Sequence, residues 1–382
     1  MKALKIAFVL DDSLDKTDGV QQYILSLGAW MKEHGHSVHY LVGETTRTDI
    51  ANVHSLSRNI NARFNSNRMS TPLPASRSNI RRLLEREHFD VLHVQIPYSP
   101  FLAQYIIDLA PKHTAILGTF HILPHSQLAK YGSKLLALAT KKSLNHFDKI
   151  FSVSPAAKTF AHKVYGIDSI VLPNVVDIDR FSEAKPISKY DKTKLTIMFL
   201  GRLVPRKGCM TLLEAANILN KRKNMPPFRI VVCGKGPLET ELKEYVSGQL
   251  IEELVEFTGF VSEEDKPRYV ASADIMAFPS IGGESFGIVL LEGMASERAV
   301  VLAGDNAGYR SVLEPHPELL FTPGDAFALA NKLTEYMRDI GMRKAILKWQ
   351  KQYVKQFDIS VVGKELEHIY EEICCSKRNK QG

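Results

Sequence analysis

Two doubly wound α/β sheets, each parallel and each with its own core, are the fold class this sequence predicts. Three observations lead there. Short β-branched runs alternate with helical patterns along the whole 382-residue chain, and every interval is long enough for a crossover helix. That length exceeds what a single compact core normally fills, so two domains are expected. The glycine-rich turns fall where strand patterns pass into helical ones, as they do at the ligand-binding edge of such sheets.

The elements follow in order. An apolar strand over residues 3–10 meets Asp11-Asp12; it is too short and too quickly acidic for a signal peptide or a membrane span. With no run of eighteen apolar residues anywhere, the chain is expected in the cytoplasm. Asp18-Gly19-Val20-Gln21 closes the first loop and starts a helix. Strands near 37–42, 90–94, 114–119 and 149–153 complete a first domain over 1–178. Pro173-Asn174-Val175-Val176-Asp177 leads into a polar stretch that reads as a linker over 179–193. Strands near 194–200, 228–233, 255–258, 274–278 and 299–302 build a second domain over 194–356. Residues 357–382 form a polar helix expected to pack back on the N-terminal domain, with a frayed end. Two such domains would face each other across a deep cleft, with ligands at the carboxyl ends of the strands.

Hydrophobic content of 45% and charged content of 24% exclude a disordered chain. Cys209, Cys233, Cys374 and Cys375 lack metal-ligand spacing and are expected as reduced thiols. The net charge of +7 sits mostly in the first half, where residues 1–178 carry 20 Lys and Arg against 14 Asp and Glu. Eight arginines, Arg68 among them, stand between Arg47 and Arg86. Their forked guanidinium groups suit phosphate or an anionic membrane surface, with a solvated basic loop as the alternative. No series of stacking aromatics accompanies them, so nucleic acid is not an expected partner. A helix over 77–87 would put Ile80, Leu83 and Leu84 on one face with Arg77, Arg81 and Arg82 around it. That face is expected in the core, with the arginines near lipid headgroups.

The most informative run is Gly282-Gly283-Glu284-Ser285-Phe286-Gly287-Ile288-Val289-Leu290-Leu291-Glu292. It leaves a strand and opens a helix, whose free amides and positive end attract an anion. Glu284 and Glu292 would lie roughly 12 Å apart in a continuous helix. A polyol needs acceptors and a diphosphate needs donors, so a nucleotide sugar fits the pattern. Gly201-Arg202-Leu203-Val204-Pro205-Arg206-Lys207-Gly208 follows the first strand of the second domain; Arg202 and Lys207 are the cations chosen to neutralise a leaving diphosphate. Gly234-Lys235-Gly236 is a further backbone-lined turn, and Gly259-Phe260-Val261-Ser262-Glu263 a loop suited to backbone and carboxylate contacts with a base. His36, His39 and His162 read as structural, whereas His121 ends a strand at the carboxyl edge, in reach of a sugar hydroxyl or a phosphate.

These residues together resemble the retaining glycosyltransferases of family 4, whose GT-B fold pairs two Rossmann-like domains, and among them the bacterial phosphatidylinositol mannosyltransferases. The resemblance runs through Gly19-Val20-Gln21, Phe89-Asp90-Val91-Leu92-His93-Val94, Thr119-Phe120-His121, Pro173-Asn174, Gly201-Arg202, Arg206-Lys207-Gly208, Gly234-Lys235-Gly236-Pro237 and Gly283 to Glu292. It implies that Glu284 contacts the donor sugar, Glu292 the ribose, Arg202 and Lys207 the diphosphate, and His121 the sugar. Gly19 would leave room for the phosphates, and Val261, Glu263 and Lys266 would lie on the guanine side. Gly234, Ser285, Phe286, Gly287 and Ile288 would complete the donor site. Gln21, Arg68, Arg77, Arg81 and Arg82 would serve the acceptor and the membrane.

The implied reaction moves mannose from GDP-mannose to phosphatidylinositol or a related glycolipid. No cofactor or metal takes part, and the enzyme sits peripherally on the inner face of the cell membrane. A UDP- or GDP-sugar used on a soluble or polysaccharide acceptor is the enzymatic alternative. A non-catalytic nucleotide-sugar or phospholipid-binding protein is the other, and Glu284 with Arg202 and Lys207 argues against it. Two departures from the family concern the acceptor side: Asp18-Gly19 where relatives have two glycines, and Ile122-Leu123-Pro124-His125-Ser126 where they have small hydroxyl residues and a lysine.

Overall fold

The computed structural model describes residues 3–15, 18–64, 67–72, 75–99, 102–121, 136–137, 140–190 and 193–380, except for the side chains at 60–72. The chain divides into two compact units, Met1–Val175 with Ile359–Gly382, and Val176–Asp358.

In the first unit a seven-stranded sheet is built from β1 (Lys5–Leu10), β2 (Ser37–Val42), β3 (Val53–Ser55), β6 (Val91–Gln95), β7 (Ala115–Phe120), β8 (Lys149–Ser152) and β9 (Ile170–Val171). Their order is β3-β2-β1-β6-β7-β8-β9, and every pairing is parallel. A parallel sheet needs cover on both faces, and β1 shows how its sequence supplies it. Ile6, Phe8 and Leu10 belong to one core cluster, and Ala7 and Val9 to another. The second cluster takes in Ile80, Leu83 and Leu84 from the helix Arg77–Glu87. The first takes in Val362, Leu366, Ile369 and Tyr370 from the helix Ile359–Asn379.

That C-terminal helix is held by more than apolar contact. His36 Nδ1 accepts from the Leu4 amide at 3.1 Å, which leaves Nε2–H to donate to Glu367 at 2.9 Å. Lys377 pairs with Asp148 at 2.7 Å. A Cβ on Gly363 would come within 2.7 Å of the Trp30 ring, so helix and ring are in close contact. A separate antiparallel pair, β4 (Asn59–Phe64) with β5 (Asn67–Pro72), lies within the arginine-rich segment and carries Arg63 and Arg68.

The second unit carries six parallel strands: β10 (Leu195–Leu200), β11 (Phe228–Cys233), β12 (Val255–Gly259), β13 (Ile275–Phe278), β14 (Val300–Gly304) and β15 (Leu320–Phe321). Their order is β12-β11-β10-β13-β14-β15. The expected linker is part of this unit: Ile187 N donates to Ser272 Oγ at 2.8 Å, and buried Tyr190 donates to Glu256 at 2.9 Å. Its polar composition reflects surface packing on folded structure, not a free connection. In both sheets the strand order reverses beside the first strand, between β1 and β6 and between β10 and β13. Open α/β sheets bind ligands at this position.

Candidate active site

In the second unit the loops after β10 and β13 meet at that reversal point. The first ends in a short turn, Pro205–Lys207, before the helix Cys209–Asn220. The second passes through Ser280 to Glu284 and enters the helix Ile288–Ala295 at Gly287. The loops are joined by Ile281 N donating to the Arg206 carbonyl at 2.9 Å. The buried Ser280 hydroxyl lies 2.9 Å from that same carbonyl and 2.9 Å from Glu284 Oε1. Gly287 has φ +117°, and a Cβ there would lie 2.6 Å from the Tyr309 ring, so only glycine lets the helix start here.

Glu284 is gripped by cations. Its Oε1 accepts from Arg206 Nη1 at 2.7 Å and from Lys207 Nζ at 2.9 Å, and only 12% of its side chain is exposed. Burial works to raise its pKa, but Lys207 and Arg206 outweigh burial and hold the carboxyl below the usual range. Sequence reasoning selected Lys207 and missed Arg206 as Glu284's second partner, although the tandem Arg206-Lys207 stood in the quoted motif. Arg206 Nε is buried with no partner among the described residues, which leaves a donor for a ligand oxygen. Arg202 stands two residues past the end of β10 and is half-buried.

The loop after β11 lies against the first of these. A Cβ on Gly234 would come within 1.9 Å of the Gly201 carbonyl, and Gly234 N donates to the Gly259 carbonyl at 2.8 Å. The carboxyl edges of β10, β11 and β12 are thereby linked. Phe286 is buried with its ring edge-on to Phe357 at 5.8 Å, so its side chain serves the core and only its backbone is left for a ligand. Ser285 and Ile288 are half-buried around it.

One turn into that helix from Ile288, Glu292 forms a buried ion pair with Lys266 at 2.6 Å, and Lys266 also contacts Glu263 at 2.7 Å. Burial works to lower the Lys266 pKa, yet Glu292 and Glu263 prevail and raise it. Arg180 closes the cluster against the Glu263 carbonyl. Glu263, Lys266 and Glu292 are therefore one neighbourhood, with Val261 in the loop just before Glu263, but Lys266 is committed to two carboxylates in this state.

In the first unit the polar groups gather at the ends of β1, β6 and β7. Gln95 Nε2 donates to the His93 carbonyl at 3.2 Å, which turns its Oε1 to accept from His121 Nε2 at 2.7 Å. His121 is thus fixed with Nδ1 as its acceptor. Burial pushes its pKa down to about 3, so the ring is neutral. His93, missed by sequence reasoning, is fully buried and shares hydrogens with Tyr370 at 2.6 Å and Thr119 at 2.7 Å. Gln21 donates to the Ser13 carbonyl at 3.0 Å, and its Oε1 is buried without a partner among the described residues. Gly19, exposed, starts the helix Gly19–Glu33. Ile96 takes φ +58°, unusual for a β-branched side chain, in the loop that follows β6.

Arg77, Arg81 and Arg82 are exposed on the helix Arg77–Glu87, and Arg77 stacks over Tyr105 at 5.0 Å. Arg68 lies on β5 in register with Arg63. Residues 122–126, where the family resemblance departs, lie outside the described residues. Among the described residues no group of three or more potential metal ligands occurs, and no helix is long and apolar enough to cross a membrane.

Two doubly wound units, one carrying an acid–cation constellation at its reversal point, make up the architecture of GT-B glycosyltransferases. A Rickettsia africae glycosyltransferase superposes with a TM-score of 0.76 at 19% identity, over 98% of this chain and 99% of that one. The Anabaena protein HepE, solved with UDP and glucose, superposes at 0.73 and 19% identity, over 97% and 100%. Residues 180–352 match the model for glycosyl transferases group 1, and residues 17–180 that for glycosyltransferase family 4. The phosphatidyl-myo-inositol mannosyltransferase of Mycobacterium leprae is 30% identical over 381 residues, 98% of each chain. The protein belongs to the family 4 glycosyltransferases and is a relative of the phosphatidylinositol mannosyltransferases.

Proposed function

We propose that the protein moves mannose from GDP-mannose to phosphatidylinositol or a closely related glycolipid at the inner face of the cell membrane, with retention of anomeric configuration. The observation that carries the reading is the grip of Arg206 and Lys207 on Glu284 beside a helix N-terminus. The name of the Mycobacterium leprae relative supports mannose and the inositol lipid, and the UDP and glucose in HepE support a nucleotide sugar as donor.

The second unit binds the donor. Its diphosphate competes with Glu284 for Lys207 and, together with Arg202 and the free amides of the helix start, replaces a carboxylate by phosphate as the partner of the cations. Glu284, relieved of part of its pairing, accepts hydrogen bonds from sugar hydroxyls, and Glu292 does the same for the ribose. The bond from the anomeric carbon to the phosphate oxygen breaks. The acceptor hydroxyl oxygen bonds that carbon on the same face, and its proton passes to the departing phosphate oxygen. The cations stabilise the charge left on the diphosphate, and no metal is needed. In the first unit, neutral His121 and Gln21 Oε1 accept hydrogen bonds from hydroxyls, while Arg77, Arg81 and Arg82 meet anionic headgroups.

The test is transfer of labelled mannose from GDP-mannose to phosphatidylinositol in vesicles, with the anomer of the product read by NMR. An α-mannosyl lipid is expected. Transfer to soluble sugars but not to the lipid would overturn the acceptor, and a β-linked product would overturn retention.

A further inference from the structure

The two oxygens of Glu284 are not equivalent. Arg206 Nη1, Lys207 Nζ and the Ser280 hydroxyl all reach Oε1, at 2.7, 2.9 and 2.9 Å. None of these contacts is made to Oε2, so the carboxylate is anchored at one oxygen and offers the other. Two of the anchors are cations, which a bound diphosphate would draw towards itself. The third is neutral and buried, with 1% of Ser280 exposed; it is the anchor that stays when the cations turn to phosphate.

Neighbours decide where the Ser280 proton points. Its Oγ lies 2.9 Å from both the Arg206 carbonyl and Glu284 Oε1, and one proton serves one of them. The carbonyl already accepts from Ile281 N at 2.9 Å, and a bond to a carboxylate is the stronger of the two. Tyr309 adds a second constraint. Burial, and after it the Glu284 charge, push its hydroxyl well above the ordinary tyrosine pKa, and it is hydrogen-bonded with Ser280. A tyrosine that keeps its proton donates it, so Ser280 accepts from Tyr309 and gives its own proton to Glu284. The backbone is braced from the same side. Asn306 Nδ2 donates to the Ser280 carbonyl at 3.1 Å, and its Oδ1 accepts from Tyr309 N at 3.1 Å. A Cβ on Gly308 would lie 2.2 Å from the Glu284 carbonyl, so the helix Ala307–Leu313 packs directly on the loop that carries both residues.

We propose that Ser280 is a positioning residue: backed by Tyr309, it holds Glu284 Oε1 so that Oε2 faces the hydroxyls of the donor sugar. This rests on the reading of the second unit as the donor site. Ser280 touches the Glu284 side chain and loop backbone, so its influence falls on the sugar of the donor and not on the nucleoside diphosphate.

Titration calorimetry on the whole protein tests it, with GDP-mannose and GDP as probes of wild type, Ser280→Ala and Tyr309→Phe. Ser280→Ala is expected to weaken GDP-mannose by about 10-fold or more, the scale of one hydrogen bond to a charged group. Tyr309→Phe, which leaves the serine its proton, should weaken it by about 2- to 5-fold, the scale of a neutral hydrogen bond. GDP affinity should be equal in all three proteins. In Ser280→Ala the affinity for GDP-mannose should also fall away at a higher pH than in wild type, because Glu284 takes up a proton more readily once a donor to it is lost. GDP-mannose affinity unchanged in Ser280→Ala overturns the positioning role and leaves the donor site standing. Equal losses for GDP and GDP-mannose with a lowered melting temperature also overturn it, since Ser280 then only supports the loop. A wild type that binds neither probe overturns the donor reading and the positioning role together.

Discussion

Glu284 is mostly buried, with two cations on one of its oxygens, so charge balance dominates its chemistry. Glu284→Gln keeps the shape and removes the charge, leaving Arg206 and Lys207 to repel each other. Transfer should fall by about 10²–10³-fold, the scale of losing a preorganised electrostatic contact, as single-turnover rates would show. Because the folded pKa is depressed, the stabilisation is present above the unfolded pKa, about 4.3, and is lost as pH falls through the folded value. Urea melts of wild type and Glu284→Gln should differ at pH 7 and converge in acid.

Histidine acts in the same sense but over a higher pH range. His121 and His93 are both held near 3, the first by burial and the second by burial reinforced by His121. An unfolded histidine titrates near about 6.5 and takes up a proton that the folded ring refuses, so stability drops as pH falls from about 6.5 towards 3. Each group contributes up to about 1.4 kcal/mol per pH unit, and His121→Gln should flatten the stability–pH slope between pH 6.5 and 4.5. An unchanged slope would show that His121 is not held neutral.

Glu284, Lys207 and His121 were legible as candidates because motif spacing places them in the loops or at the ends that follow strands, and Glu292 because the same motif carries it one turn into the next helix. Arg206, Ser280, Tyr309 and His93 were not, because what defines them is a partner far away in sequence: Glu284 for Arg206, the Arg206 carbonyl for Ser280, the Gly287 backbone for Tyr309, and Tyr370 for His93.

At the scale of elements, the helix Arg77–Glu87 separates two kinds of residue cleanly. Its apolar stripe is fully committed to the core, so only the arginine face can meet a membrane. Reversing Arg77, Arg81 and Arg82 to Glu should weaken binding to anionic vesicles, by about 1 kcal/mol per charge removed near the surface, while GDP affinity and melting temperature stay put. Leu83→Ala should instead cost about 2–5 kcal/mol of stability. Vesicle binding that survives the triple reversal would remove this face from the acceptor account.

The glycine-rich turns make a comparable prediction. Gly287→Ala forces a side chain into the Tyr309 ring at positive φ. It should lower donor affinity and melting temperature together, whereas a loop free to adapt would show neither change.

All ten strands expected from β-branched runs are present. The elements not read from sequence are β3, β9, β15 and the β4–β5 hairpin. The first three are strands of two or three residues, too short for any period to show. The hairpin is paired with neither sheet, and the arginines of the segment 47–86 around it draw attention to charge instead of pairing.

For the whole molecule, the chain returns to its first unit after completing its second. The cluster under the helix Ile359–Asn379 includes Phe8, Tyr23 and Trp30, so cutting the chain after Asp358 would expose a core face. Such a protein should lose the cooperative unfolding of its first unit in calorimetry. The polarity of the tail hid the extent of this, since Val362, Leu366, Ile369 and Tyr370 are spaced among charges and read as an amphipathic stripe only once their partners are known. The stretch expected as a linker shows a related limit of sequence: a polar segment that packs by hydrogen bonds, as Ile187 and Tyr190 do, looks the same in sequence as one that does not pack.

The proposed transfer requires Glu284 and its cations to recognise an activated sugar. Titration calorimetry of GDP-mannose into wild type and Lys207→Ala tests this most directly. Saturable binding to wild type and a loss of at least about tenfold in the variant are expected, consistent with one charge-assisted contact. Equal affinity in the two proteins would contradict it.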